Sequence, residues 1–221
     1  MDRHLFLFGG SPPFSLKMAK QFAEIATLAD APISILFIER EGWERYMPRY
    51  TQALEKEGLV QFEYLPLPTT PIHKVVDCLK KSAGIIIGGG NTNLYADYIV
   101  DTAISKAIKE RFELGVPVAG FSAGALISPE LCVISPKDNV RQELQFRNGL
   151  GLESNLLVAV HFSQWKDENH LRTAVQKFKT NCNFGIDEDT CVYLVNGQLT
   201  SIDGNGGVYQ LENDEIQKIL V

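Results

Sequence analysis

The sequence predicts an α/β protein: a three-layer sandwich with a mostly parallel central sheet and antiparallel hairpin strands at the C-terminus. Three observations carry this. Short apolar runs alternate with amphipathic, helix-period stretches from His4 to Phe121, the pattern of a parallel sheet covered by helices on both faces. Glycine clusters follow two of those runs, in "GIIIGGG" and "VAGFSAG", as tight strand-to-helix turns require. The tail "TCVYLVNGQLTSIDGNGGVYQL" holds the Asn-Gly and Gly-Asn turn signals of hairpins.

The elements follow in order. "HLFLF" is a first strand, and "SLKMAKQFAEIATLA" places Leu16, Ala19, Phe22, Ala23 and Ile25 at helical spacing. "ISILFIE" is a second strand. "WERYMPRYTQALEKEG" is a helix closed by Gly58, with Pro48 expected to break or shift its first turns. "VQFEYLPL" alternates as a third strand, "IHKVVDCLKKS" is a helix, and "GIIIG" is a buried fourth strand before the turn "GGNTN". "LYADYIVDTAISKAIKERFELG" reads as one helix or two, and "PVAGF" as a fifth strand that delivers Ser122. Beyond it, "VISPKDNVRQELQFRNGLGLE" is polar and loop-rich, "NLLVAVHF" a strand and "ENHLRTAVQKFKT" a helix. The tail is expected to add antiparallel edge strands to the sheet. No linker, repeat or low-complexity segment intervenes, so residues 1–221 are expected to form a single domain.

Composition excludes several classes of function. The net charge is -6 and no long basic run occurs, which argues against a nucleic-acid binder or a membrane-surface protein. The apolar run of "MDRHLFLFGGSPP" is too short for a signal sequence, and no stretch approaches the ~18–20 apolar residues of a membrane span. Cys78, Cys132, Cys182 and Cys191 show no CxxC spacing, so neither a zinc site nor a redox pair is suggested. The expectation is a soluble, cytoplasmic protein with reduced thiols, no metal and no organic cofactor.

Gly120-Phe121-Ser122-Ala123-Gly124 fits G-x-S-x-G, the strained elbow that projects a serine hydroxyl between strand and helix. Taken alone the motif fits a nucleophile and a structural turn equally well. A serine needs a base. Of four histidines, His4, His73 and His170 read as surface or packing residues. His161 ends a buried strand, and ligand sites gather at such ends in open parallel sheets. For the orienting acid, "GIDEDT" offers Asp187, Glu188 and Asp189, and "SPKDNV" offers Asp138. Asp187 and Asp189, taken singly, read better as a solvated turn. Gly88-Gly89-Gly90 lacks the ending of a phosphate loop. It can bring backbone N–H groups to an oxyanion, or simply precede a helix capped by Asn91 or Thr92.

"IIIGGGNTNLY", "VAGFSAGALIS", "VHFSQ" and "GIDEDT", in that order, closely resemble the peptidase E and cyanophycinase family of serine peptidases. The resemblance covers nearly the whole chain and implies a fold similar to class I glutamine amidotransferases, with serine replacing cysteine at the elbow. It implies Ser122 as nucleophile, His161 as base, Glu188 as acid, and Gly90 and Ala123 as oxyanion donors. Asn91 and Gln164 lie in matching motifs as substrate-binding or supporting residues, and Asp138 matches an acidic position near the site. The resemblance implies a peptide substrate: short peptides with an N-terminal aspartate for peptidase E, or a storage polymer from which β-aspartyl-arginine units are released for cyanophycinase. "HFSQ" resembles the second branch, yet "WKDENHLR" stands where cyanophycinases carry an arginine-rich run. Trp165, Asp167 and Glu168 replace that basic character and leave Arg172 to clamp a substrate carboxylate. An esterase or amidase with the same triad, and a non-catalytic binding protein on the same shell, are the rival readings. Monomer and homodimer are both compatible with the sequence.

Overall fold

The protein is described here by a computed structural model covering residues 1–27 and 30–219. Its first half alternates as expected: β1 (His4–Phe8), α1 (Leu16–Ala26), β2 (Ile33–Ile38), α2 (Pro48–Lys56), β3 (Phe62–Leu67), α3 (Ile72–Leu79), β4 (Gly84–Ile87), α4 (Thr92–Tyr95), α5 (Ala103–Glu113) and β5 (Val118–Phe121). Leu28 and Ala29, the end of the expected first helix, lie outside the described residues, as do Leu220 and Val221. Pro48 shifts its helix rather than breaking it. It opens α2 at the first helical position, where no N–H partner is needed, and a 3-10 turn over Trp43–Arg45 precedes it. The segment before β5 divides into α4, a π-helical turn over Ala96–Val100, and α5.

The second half continues with α6 (Ala123–Ile127), β6 (Leu131–Ile134), β7 (Gln145–Asn148), β8 (Leu156–Val160), α7 (Phe162–Trp165), α8 (Glu168–Phe178), β9 (Cys182–Ile186), β10 (Thr190–Val195), β11 (Gln198–Gly204), β12 (Val208–Glu212) and β13 (Glu215–Ile219). The stretch read as polar loop thus contains a two-stranded antiparallel ribbon, β6–β7.

The central sheet runs β11-β10-β1-β5-β4-β2-β3. β1, β5, β4, β2 and β3 are parallel, and β10 and β11 add the expected antiparallel edge. β12 and β13 depart from the expectation. They join β9 and β8 in a second sheet of order β13-β12-β9-β8. The physical reason lies in the turn before β12, where Gly207 N–H donates to the buried Asp187 carboxylate at the end of β9, 2.8 Å away.

Period-two alternation splits β1 between two cores. Phe6 and Phe8 face α1 and α2 through Met18, Phe22, Tyr50 and Leu54, whereas Leu5 and Leu7 face α3, α5 and α6 through Leu79, Ile108 and Leu126. The second core continues into Val158, Val160, Phe184 and Ile186 of β8 and β9. Helices therefore cover both faces of the central sheet. Fully buried Phe6 and Phe22 meet edge to face at 5.6 Å, and truncating such a ring to Ala costs about 3–5 kcal/mol.

Candidate active site

Parallel pairing brings the carboxyl ends of β2, β4 and β5 to one edge of the sheet, with Leu36 beside Ile87 and Ile87 beside Gly120. Ligands bind beyond such ends in open α/β sheets. Here Arg40, Gly88–Gly90 and Ser122 follow the three strands. Arg40, Gly89, Gly90 and Ser122 border a cleft of about 240 Å³, together with Ser11, Tyr46, Asp138, His161 and Trp165.

Ser122 has φ 48° and ψ -104°, a strained conformation for a residue with a Cβ and one costing about 1–3 kcal/mol. Its surroundings hold it there. Ser122 N–H donates to the Phe8 carbonyl at 2.9 Å, and Gly124 N–H to the Gly88 carbonyl at 3.2 Å. The flanking glycines allow the close turn: a Cβ on Gly120 would lie 2.5 Å from Gly124 backbone, and one on Gly124 would lie 2.3 Å from the Ile87 carbonyl oxygen.

His161 leaves β8 with φ 48°, so the strand stops and the imidazole turns into the cleft. Its N–H donates to the Gly9 carbonyl at 2.8 Å, tying the second sheet to the end of β1. Its Nε2 lies 2.9 Å from Ser122 Oγ, and its Nδ1 lies 2.8 Å from Glu188 Oε1. An ionised carboxylate only accepts, so Nδ1–H donates to Glu188 and Nε2 is left to accept from the serine. The three acids of "GIDEDT" have distinct places. Asp187 is buried and accepts from Ser163 N–H and Gly207 N–H, both at 2.8 Å. Glu188 faces His161, and its own N–H donates to Gln164 Oε1 at 3.2 Å. Asp189 occupies the left-handed turn into β10.

Asp138 also lines the cleft and accepts from Thr92 Oγ1 rather than from His161 Nδ1. Burial pushes its carboxyl up to about 6, against the opposing pull of the Thr92 hydrogen bond and the nearby His161. Gly90 adopts φ 152°, which favours glycine. Two buried tyrosines pin the loop: Gly89 N–H donates to Tyr50 Oη at 3.2 Å, and Tyr95 Oη donates to the Gly89 carbonyl at 3.1 Å. Burial raises both phenols, so they stay protonated. Tyr95 Oη also accepts from Ile38 N–H at 3.3 Å, joining β2 to the glycine loop. Among the described residues, the N–H groups of Gly90 and Ala123 have no hydrogen-bond partner.

Two expected residues are placed elsewhere. Asn91 caps α4, its side chain accepting from Leu94 N–H at 3.1 Å. Arg172 donates to the Asp214 carbonyl in the β12–β13 turn and does not line the cleft. The cation that does is Arg40, stacked over Tyr46 at 5.4 Å, with Arg49 at 5.1 Å from the same ring. Arg40 has no ion-pair partner among the described residues. Sequence reasoning missed Ser11, Arg40, Tyr46 and, as a wall of the site, Trp165. The position of Arg40 just past a parallel strand was the available signal. Among the described residues no cluster of three or more His, Cys, Asp or Glu side chains is arranged to hold a metal ion, and no helix is long and apolar enough to cross a membrane.

The profile of peptidase family S51 matches residues 17–202. A cyanophycinase from Nostoc sp. (strain PCC 7120) is 26% identical over 175 residues, which make up 76% of this chain and 59% of that protein. The chain thus spans less than two thirds of that relative's length. The crystal structure of a peptidase from an acI-B1 Actinobacterium superposes with a TM-score of 0.74 at 21% identity, over 99% of this chain and 94% of that one. A putative peptidase E protein from Listeria monocytogenes EGD-e gives a TM-score of 0.64 at 21% identity, over 93% of this chain and 100% of that one. These two likenesses establish the fold, and the profile match establishes the family: the chain belongs to peptidase family S51.

Proposed function

We propose that this chain is a serine peptidase of small acidic peptides, with Ser122 as nucleophile, His161 as general base and Glu188 as the acid that orients it. The observation that supports this most is the continuous Ser122–His161–Glu188 hydrogen-bond chain, 2.9 and 2.8 Å long, on a strained elbow. His161 Nε2 takes the Ser122 hydroxyl proton as Oγ attacks the scissile carbonyl carbon. The oxyanion so formed faces the free N–H groups of Gly90 and Ala123, and one such donor is worth about 10²–10³ in rate. Collapse of the tetrahedral intermediate breaks the C–N bond, and His161 returns its proton to the leaving amine. Water then adds to the acyl-Ser122 ester, giving its proton to Nε2; collapse breaks the acyl–Oγ bond, His161 returns that proton to Ser122 Oγ, and the acid product leaves. Glu188 keeps the productive tautomer throughout and faces the imidazolium.

Arg40 supports an acidic substrate. Among the described residues it is an uncompensated guanidinium on the cleft wall, two strands from Ser122 and roughly 10 Å away at the usual strand spacing. That separation suits a carboxylate on the substrate while its carbonyl lies at Ser122. An α-aspartyl dipeptide meets this requirement. Release of β-aspartyl-arginine units, which the resemblance to cyanophycinases implies, is the second reading.

The test is release of free aspartate from Asp-Leu by the full chain and by its Ser122→Ala variant. Serine-dependent release supports the reading. Equal release by both proteins excludes Ser122 as nucleophile. Ester turnover without peptide turnover would move the chain to the esterase reading.

A further inference from the structure

We infer that Trp165 is a positioning residue for His161, its indole face locking the imidazole plane and stabilising the positive charge that the ring gains during attack. The inference rests on the reading of His161 as general base.

The indole and imidazole are stacked, with centroids 4.4 Å apart and planes 24° from parallel. The hydrogen bonds to Ser122 and Glu188 are made at the two ring nitrogens, Nε2 and Nδ1. They pin two edges of the ring but resist rotation about the line joining its nitrogens only weakly. A flat surface on one face supplies that missing constraint. It is also needed for shielding. The Glu188 side chain is 51% exposed, so water competes for the Nδ1 proton, while His161 itself is only 12% exposed.

Trp165 is itself held in place. It lies four residues after His161, on the same face of one helical turn. Its N–H donates to the His161 carbonyl at 2.8 Å, and its carbonyl accepts from Lys137 Nζ. Lys166 closes the turn in a left-handed conformation at φ 55°. Phe162 anchors the other end: it is buried and packs so closely on Gly185 that a Cβ there would lie 2.5 Å from its ring. The stack is thus fixed by α7 and by β9 beneath it.

The charged groups around the imidazole are Glu188 at Nδ1, Asp138 and Arg40 in the cleft lining, and Lys137 at the Trp165 carbonyl. Among the described residues, the ring stacked on the imidazole is that of Trp165. An aromatic face attracts a cation, and the imidazolium exists only after proton transfer. The contact therefore strengthens toward the transition state, which is the condition for raising kcat rather than lowering KM.

Trp165→Phe and Trp165→Leu separate this role from that of a simple wall, because Leu keeps apolar cover without a flat π-face. Two readouts are used on the full chain: kcat and KM on Asp-Leu, and the downfield Nδ1–H proton resonance of His161, which needs no turnover. Trp165→Leu is expected to lose about tenfold in kcat with KM within about twofold, and to broaden the Nδ1–H resonance through exchange with water. Trp165→Phe is expected to restore both. Unchanged kcat and resonance in the Leu variant would overturn the inference. So would equal losses in both variants confined to KM, which would make Trp165 a substrate wall. Ser122→Ala is run alongside: turnover surviving there sinks the catalytic reading and this inference together, whereas an inactive Ser122→Ala leaves any Trp165 failure to count against the inference alone.

Discussion

Glu188 Oε1 lies 2.8 Å from His161 Nδ1, and the other acid of the cleft, Asp138, is turned to Thr92 instead. The two carboxylates therefore have different hydrogen-bond partners, although either could be paired with the histidine from sequence alone. Glu188→Gln replaces an acceptor by an amide that can present a donor to Nδ1, which favours the wrong tautomer. The expected loss in kcat is about 10²–10⁴-fold. Asp138→Asn can still accept from Thr92, and a loss below about tenfold is expected. Steady-state kinetics of the two variants in parallel checks this, and a larger loss in Asp138→Asn contradicts the assignment.

Asp138 also makes stability depend on pH. Its folded carboxyl sits at about 6 because of burial, above the ~3.9 of an unfolded aspartate. Between these values the folded state holds a proton that the unfolded state has released, so stability falls as pH rises through roughly 4 to 6 and is level above. Asp138→Asn has no carboxyl to titrate there. Melts at pH 4 and pH 7 should show the variant gaining on the wild type by about 1–2 kcal/mol at the higher pH, after discounting for partial exposure. A constant difference between the two pH values would show that Asp138 does not titrate in this window.

Tyr95 spans β2 and the glycine loop, bonding Ile38 N–H and the Gly89 carbonyl with one hydroxyl. Tyr95→Phe leaves both partners unsatisfied in a buried place, at a cost of about 1–3 kcal/mol. The loop carrying Gly90 N–H loses an anchor, so kcat is expected to fall by about tenfold or more while KM changes little. Urea unfolding and kinetics together check this. A stability loss with unchanged kcat would separate Tyr95 from the oxyanion site.

Arg40→Met keeps the length and apolar stem of the side chain and removes its charge. For Asp-Leu, kcat/KM is expected to fall about 10–100-fold, mostly through KM, with no change for a neutral dipeptide or ester. A parallel fall for Arg172→Met, whose guanidinium is bound to the Asp214 carbonyl, would return the clamp to that helix.

Much of this was legible in the sequence, for a physical reason. Strands and helices of the parallel half alternate with distinct periods, and the elbow glycines mark a turn that only small residues fit, so β1 to β5 and Ser122 are local signals. Pairing across the sheet is not local. Arg40 is distant from Ser122 in sequence, and only the order β5-β4-β2 brings it to the same edge. β6–β7 was hidden because "QFRN" is half-exposed and shows no apolar run. β12 and β13 carry true hairpin signals, but those signals do not say which sheet a hairpin joins. Arg172 was expected at the cleft from its place after "HFSQ", and the turn of α7 and α8 carries it instead to Asp214.

The central claim is a covalent acyl group on Ser122. Rapid acid quench of the protein during turnover of aspartyl p-nitroanilide, followed by mass spectrometry of the peptide containing Ser122, tests it most directly. One aspartyl group is expected on that serine in the wild type, and neither adduct nor nitroaniline release in Ser122→Ala. Nitroaniline release that persists in Ser122→Ala, with the wild-type serine unmodified, would contradict it.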